Sequence, residues 1–121
     1  MTKRPIPKRM KVFSDTSKEV FSGVRFKVFQ WEQQVFDGSV MTYEVAKRND
    51  AVTVLAVREG NIVLVKEQQP HWHTEIITTP GGLVDEGEDI FQAAQRELKE
   101  ETGYTYKDWY LIDAALVAPG V

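Results

Sequence analysis

The chain changes its hydrophobic period twice. Over residues 21–35, FSGVRFKVFQWEQQV, aromatic and β-branched side chains crowd together with partial alternation, which predicts a strand. Asp37-Gly38 supplies hairpin turn chemistry and SVMTYEVAKR returns as the partner, so the first third is expected to be an antiparallel unit. Residues 51–57, AVTVLAV, are nearly continuously apolar, the pattern of a strand covered on both faces. REGN turns the chain into a second strand, IVLVKEQQ, and HWHTEIITTP predicts a third, ended by Pro80 and Gly81-Gly82. One more strand is expected over WYLIDAALV, 109–117.

Between these strands the period becomes helical. Asp89 is placed to cap a helix with Gln92 at its third position, and Gly103 to close it, giving a helix over 90–102. At about 100° per residue, Phe91, Ala94 and Leu98 share the core-facing stripe, and Glu97, Glu100 and Glu101 fall within an arc of about 100° beside it. Glu97 and Glu101 form a like-charge pair one turn apart, a cost of a few tenths of a kcal/mol, and the negative end of the helix dipole adds a similar penalty for each. A divalent cation reverses the sign of each of these effects, because hard ions such as Mg²⁺ take carboxylate and carbonyl oxygens. The competing reading is a solvated acidic face neutralised by Arg96, Lys99 and Lys107.

Composition narrows the chemistry. The 121 residues suit one domain, and no apolar run reaches the length of a membrane span. With no cysteine there is no disulfide, no cysteine-ligated zinc and no thiolate nucleophile, which fits a reducing cytoplasm. Five basic side chains lie in MTKRPIPKRMK, read as a solvated tail without the apolar stretch of a secretory signal. Setting those five aside leaves 10 of the 15 basic residues against 18 acidic ones, so the rest of the chain is acidic and a nucleic-acid face is not expected.

Residues 82–104 resemble the Nudix box: Gly82, Glu88 after five residues, Arg96-Glu97-Leu98 after seven more, Glu100-Glu101 and Gly103. Tyr104 departs from the aliphatic residue usual at the last position. The resemblance implies an α+β chain with the Nudix fold, an αβα sandwich around a mixed β-sheet. It also implies Mg²⁺, or Mn²⁺, held by Glu97, Glu100, Glu101 and the carbonyl of Gly81. Glu97 or Glu100 would serve as base, and Glu88 and Arg96 would orient the glutamates. Gly81 is expected to let the backbone approach the ion, at a φ other residues avoid. The implied reaction is hydrolysis of a nucleoside diphosphate linked to a second group, giving a nucleoside monophosphate and a phosphorylated partner.

The antiparallel unit leading through YEVAKRNDAVTVLAV and IVLVKEQQP into TTPGGLVDEGED is similar to the ADP-ribose and nucleotide-sugar pyrophosphatases. That likeness implies a homodimer built through the N-terminal strands. It organises the chain as a basic tail 1–19, an antiparallel dimerisation unit 20–48 and a core 49–121. Phe26, Phe29 or Trp31 would stack on the base if they are not core or interface. KEQQPHWH stands where ADP-ribose hydrolases carry an arginine, leaving Lys66, His71 or His73 as substrate contacts. The H-x-H spacing would also put both imidazoles on one face of a strand, the geometry of a structural metal site. The family continues past the APG equivalent, so the C-terminal part of the fold is expected to be missing from this chain. A non-catalytic nucleotide-binding module on the same scaffold is the alternative reading.

Overall fold

The structure, a computed structural model, describes residues 14–115. The basic segment, the last two residues of the strand expected over 109–117, and the closing APGV lie outside them. The described residues fall into two compact units, the first formed by 14–48 with 110–115 and the second by Asn49–Trp109.

The first unit holds β1 (Lys18–Ser22), β2 (Lys27–Gln34) and β3 (Val40–Lys47), paired antiparallel in that order. The single strand expected over 21–35 is therefore two. Residues 23–26 turn the chain, with the Gly23 N–H donating to the Phe26 carbonyl at 2.8 Å. Asp37 makes the second turn as its residue type suggests, accepting from both the N–H and the hydroxyl of Ser39, while Gly38 adopts φ 84°. Alternation sorts the sheet. Trp31 lies opposite Tyr43 with ring centroids 5.1 Å apart, whereas the neighbouring positions carry Gln30 on Glu44 and Thr42 on Glu32.

The second unit carries β4 (Ala51–Thr53), β5 (Val57–Arg58), β6 (Asn61–Ile62), β7 (Val65–Glu67), β8 (Ile76–Thr78), β9 (Gly81–Leu83) and α1 (Ile90–Thr102). Its pairings are β4 with β9, β5 with β6 and β7 with β8, all antiparallel. AVTVLAV does not run as one strand covered on both faces. Val54 and Ala56 are buried, but Leu55 and Val57 are exposed. The ladder to β9 stops at Thr53 and Gly81. Beyond it the Val54 N–H still donates to the Pro80 carbonyl at 2.7 Å, and Pro80 has no N–H to return. The REGN turn is a two-residue hairpin loop in which Glu59 (φ 51°) and Gly60 (φ 78°) both take positive φ.

Two further strand expectations are corrected. HWHTEIITTP is extended only over Ile76–Thr78, so His71 and His73 sit in the loop joining β7 to β8, not on a strand face. The described part of 109–117, residues 109–115, contains no strand. Trp109 instead turns its indole N–H back onto the Tyr106 carbonyl at 3.0 Å.

The helix starts and ends where its caps dictate. Asp89 accepts the Phe91 N–H at 2.9 Å, Gln92 accepts the Asp89 N–H, and Gly103 takes φ 74° while donating to the Lys99 carbonyl. Ala93, Ala94 and Leu98 are its buried residues, with Phe91 only partly buried. Ala94 and Leu98 join Val54 and Ala56 in the core of this unit, flanked by Val52, Val63, Tyr106 and Trp109. Packing α1 over β4 and β9 sets the last two helical turns beside the Gly81-Gly82 backbone.

Candidate active site

That placement decides the site. Burying Ala94 and Leu98 leaves Arg96 and Glu97 half-buried at the border of the core, with Glu100 and Glu101 exposed beyond them. The Glu97 carboxyl lies directly over Gly82, where a Cβ would collide with it. Gly81 has no room for a side chain either, because a Cβ there would strike the Val52 carbonyl of the paired strand. Gly81 is not among the positive-φ residues, so close approach, and not an unusual φ, requires glycine here. Its amide donates to Glu101 Oε2 at 2.9 Å, tying β9 to the end of α1.

Arg96 organises the acids. Its Nε and Nη2 grip the two oxygens of Glu88, each at 2.9 Å, and Nη2 also reaches the Leu83 carbonyl at 3.0 Å. Nη1 turns the other way, to Glu97 Oε1 at 2.7 Å and Glu100 Oε2 at 3.4 Å. Glu88 further accepts the Asp85 N–H at 3.0 Å. The fork from Arg96, helped by that amide, holds Glu88 ionised down to about pH 2, and Glu88 and Glu97 in turn raise the Arg96 guanidinium above its ordinary value.

Glu101 shifts the opposite way. Burial raises its pKa and the Gly81 N–H lowers it, while the negative charges of Glu97, Glu67 and Glu100 push it further up. Glu67 belongs to no motif in the sequence. A signal was nonetheless present, since on β7 the period of two gives Glu67 the same half-buried side as Val65 and turns Lys66 outward.

The donor chemistry suits a hard divalent cation: carboxylates gathered at a helix C-terminus, with burial first, and then the charges of its acidic neighbours, raising the pKa of Glu101. Each acid is meanwhile held by a protein donor, and among the described residues no three acidic or imidazole groups stand together as a ready-made metal cluster.

The remaining sequence candidates are dispersed. Lys66 pairs with Glu75, both largely exposed. His71 sits in the β7–β8 loop with its ring edge-on to Trp72, and His73 lies two residues on. Trp31 is in the other unit, buried, with its indole N–H on Gln33 at 3.0 Å. Tyr104, the departure from the box pattern, is half-buried beneath the Arg58 guanidinium, 4.3 Å from its ring centroid.

Comparison with known proteins places this arrangement. An ADP-ribose pyrophosphatase of Bacillus subtilis (strain 168) is 36% identical over 104 residues, 85% of this chain and 56% of the relative. A methanol dehydrogenase activator of Bacillus methanolicus is 30% identical over 86% of this chain and 57% of its own length. A crystal structure of an ADP compounds hydrolase superposes with a TM-score of 0.63 at 26% identity, covering 76% of this chain and 51% of that one. The chain thus spans about half the length of the relatives it matches. The NUDIX domain profile matches residues 47–118, which include every box residue, the Gly81 backbone and the acids of α1. With more than half of its residues matched, the chain belongs to the NUDIX domain family.

Proposed function

We propose that the chain is a Mg²⁺-dependent hydrolase, with Mn²⁺ as an alternative ion. It would cleave the diphosphate of ADP-ribose or a nucleotide sugar to a nucleoside monophosphate and a sugar phosphate. The observation that carries this reading is the seating of the Glu97 carboxyl over Gly82 and of Glu101 on the Gly81 N–H, with Glu100 close enough for its charge to raise the Glu101 pKa. The similar ADP-ribose pyrophosphatase and ADP compounds hydrolase support the substrate class.

Glu97, Glu100, Glu101 and the Gly81 carbonyl hold the ion in this reading; when bound it neutralises the diphosphate and makes a coordinated water nucleophilic. Arg96, anchored on Glu88 and the Leu83 carbonyl, fixes the Glu97 rotamer so that its carboxylate is presented and not free to rotate. Glu97 or Glu100 accepts the water's proton. Lys66, His71 and His73 contact the substrate from β7 and its loop. Residues 20–48 dimerise, 49–121 form the core, and the protein works in the cytoplasm without nucleic acid or membrane. No helix among the described residues is long and apolar enough to cross a membrane.

A second reading, a non-catalytic nucleotide-binding module, is favoured by one observation: the three acids already have internal donors. One experiment separates the two. ADP-ribose, ADP-glucose, GDP-mannose, UDP-glucose and dinucleoside polyphosphates are incubated with the chain with and without Mg²⁺, and released phosphomonoesters are measured. Turnover that needs Mg²⁺ and is lost in Glu101→Gln fits hydrolysis. Binding without phosphomonoester release fits the module.

A further inference from the structure

The two edges of the β1–β3 sheet differ. β1 carries a bulge between Glu19 and Phe21 and two charged residues, Lys18 and Glu19, the latter ion-paired with Lys27 at 3.5 Å, all devices that discourage a further strand. β3 has none of them. It runs eight residues against β2 with no shift in register, contains no proline, and has no strand beyond it among the described residues. Val40, Met41 and Tyr43 are exposed along it. A long, flat, partly apolar edge of this kind is a template for another strand. We propose that two copies of the chain pair antiparallel along their β3 edges about a two-fold axis at Tyr43, joining two three-stranded sheets into one. This rests on the dimer assigned above to residues 20–48 and adds the strand and the register through which it forms.

The backbone fixes the register. At the turn the Val35 N–H donates to the Ser39 carbonyl at 2.9 Å, and bonded pairs alternate from there, so Met41, Tyr43 and Val45 aim their backbone groups at β2. Val40, Thr42, Glu44 and Ala46 aim theirs at the open edge. Two identical edges must bond through these same residues, so the axis passes through one residue and not between two. An axis at Glu44 sets like charges against each other, which is destabilising. An axis at Thr42 or Val45 shortens the overlap. At Tyr43 the strands pair from Val40 to Ala46: Val40 meets Ala46 of the second copy, Met41 meets Val45, Thr42 meets Glu44 and Tyr43 meets itself. No like charges are opposed. Met41, Tyr43 and Val45 share the face on which Tyr43 packs against Trp31, with ring centroids 5.1 Å apart, so the aromatic row continues across the axis.

The chain has no cysteine, so one introduced thiol reads the register. Tyr43 facing its copy is a pair without hydrogen bonds, its Cα atoms about 4.5 Å apart and within the range of a disulfide. Under mild oxidation Tyr43→Cys is expected to run as a covalent dimer on a non-reducing gel, and Val20→Cys on β1 as a monomer. In the natural sequence, hydrogen exchange at the amides of Thr42 and Glu44 is expected to slow as chain concentration rises, while Met41 and Tyr43, already bonded to β2, change less. A chain that sediments as a dimer yet shows no concentration-dependent protection at Thr42 and Glu44, or crosslinks through Val20→Cys and not Tyr43→Cys, overturns the edge pairing and leaves dimerisation standing. A chain that sediments as a monomer overturns both. The exchange measurement decides where Tyr43→Cys does not fold.

Discussion

At the residue scale, each acid is placed by the group it leans against. Gly82 is the sharpest case, because a Cβ there would occupy the place of the Glu97 carboxyl. Gly82→Ala is expected to displace Glu97 and reduce turnover by roughly 10- to 100-fold, the range for disturbing the supports of a metal ligand. Circular dichroism should show the helix retained; unchanged turnover would remove Glu97 from the site. Glu88 gives a prediction with a definite sign. Its carboxyl ordinarily titrates near 4.5 and is held down to about 2, so its contribution to stability is complete above about pH 4.5 and is lost as pH falls toward 2. Glu101 acts oppositely, since its raised pKa adds stability at low pH that is lost as pH rises through the folded value. Glu88→Gln should therefore flatten the fall in Tm between pH 4.5 and 2. An unchanged slope would show that the fork to Arg96 does not hold in solution.

Legibility in the sequence also differed residue by residue. The box named Glu88, Arg96, Glu97, Glu100 and Glu101; Glu97 and Glu101 lie against Gly82 and Gly81, and Arg96 links Glu97 to Glu88 and Glu100. It did not show that Arg96 would face both ways, nor that Glu67 would add its charge, because both depend on which strand end packs beside the helix.

At the scale of elements, α1 was readable to its ends and the strands were not. A helix carries its own stop signals, here Asp89 and Gly103, and its bonds are local. Asp89→Ala is expected to cost about 1 kcal/mol and lower Tm by about 4 °C in thermal unfolding; no change would mean that the cap is redundant. Strand limits depend on partners distant in sequence. Residues 51–57 looked continuous, yet the ladder ends where Pro80 lacks a donor, 27 residues after Thr53. Residues 71–75 looked extended by their β-forming side chains, and instead the Trp72 N–H closes a turn onto the Gln69 carbonyl. That turn separates the two imidazoles from any common strand face.

At the scale of the whole molecule, an acidic cluster on α1 and an exposed apolar set on β1–β3 make different demands. Val20, Phe21, Val40, Met41 and Tyr43 are all exposed on the three-stranded sheet, in keeping with the dimer proposed for residues 20–48. Sedimentation should give twice the 13.8 kDa of one chain, and a monomer at micromolar concentration would remove that assignment. The cluster makes the stricter demand. Mn²⁺ titrated into the nitrogen-labelled chain is expected to broaden the amide signals of Gly81, Gly82, Glu97 and Glu101 at substoichiometric ion, and to lose this pattern in Glu101→Gln. Broadening spread evenly over the chain, or none at the end of α1, would contradict a divalent-ion site among these carboxylates.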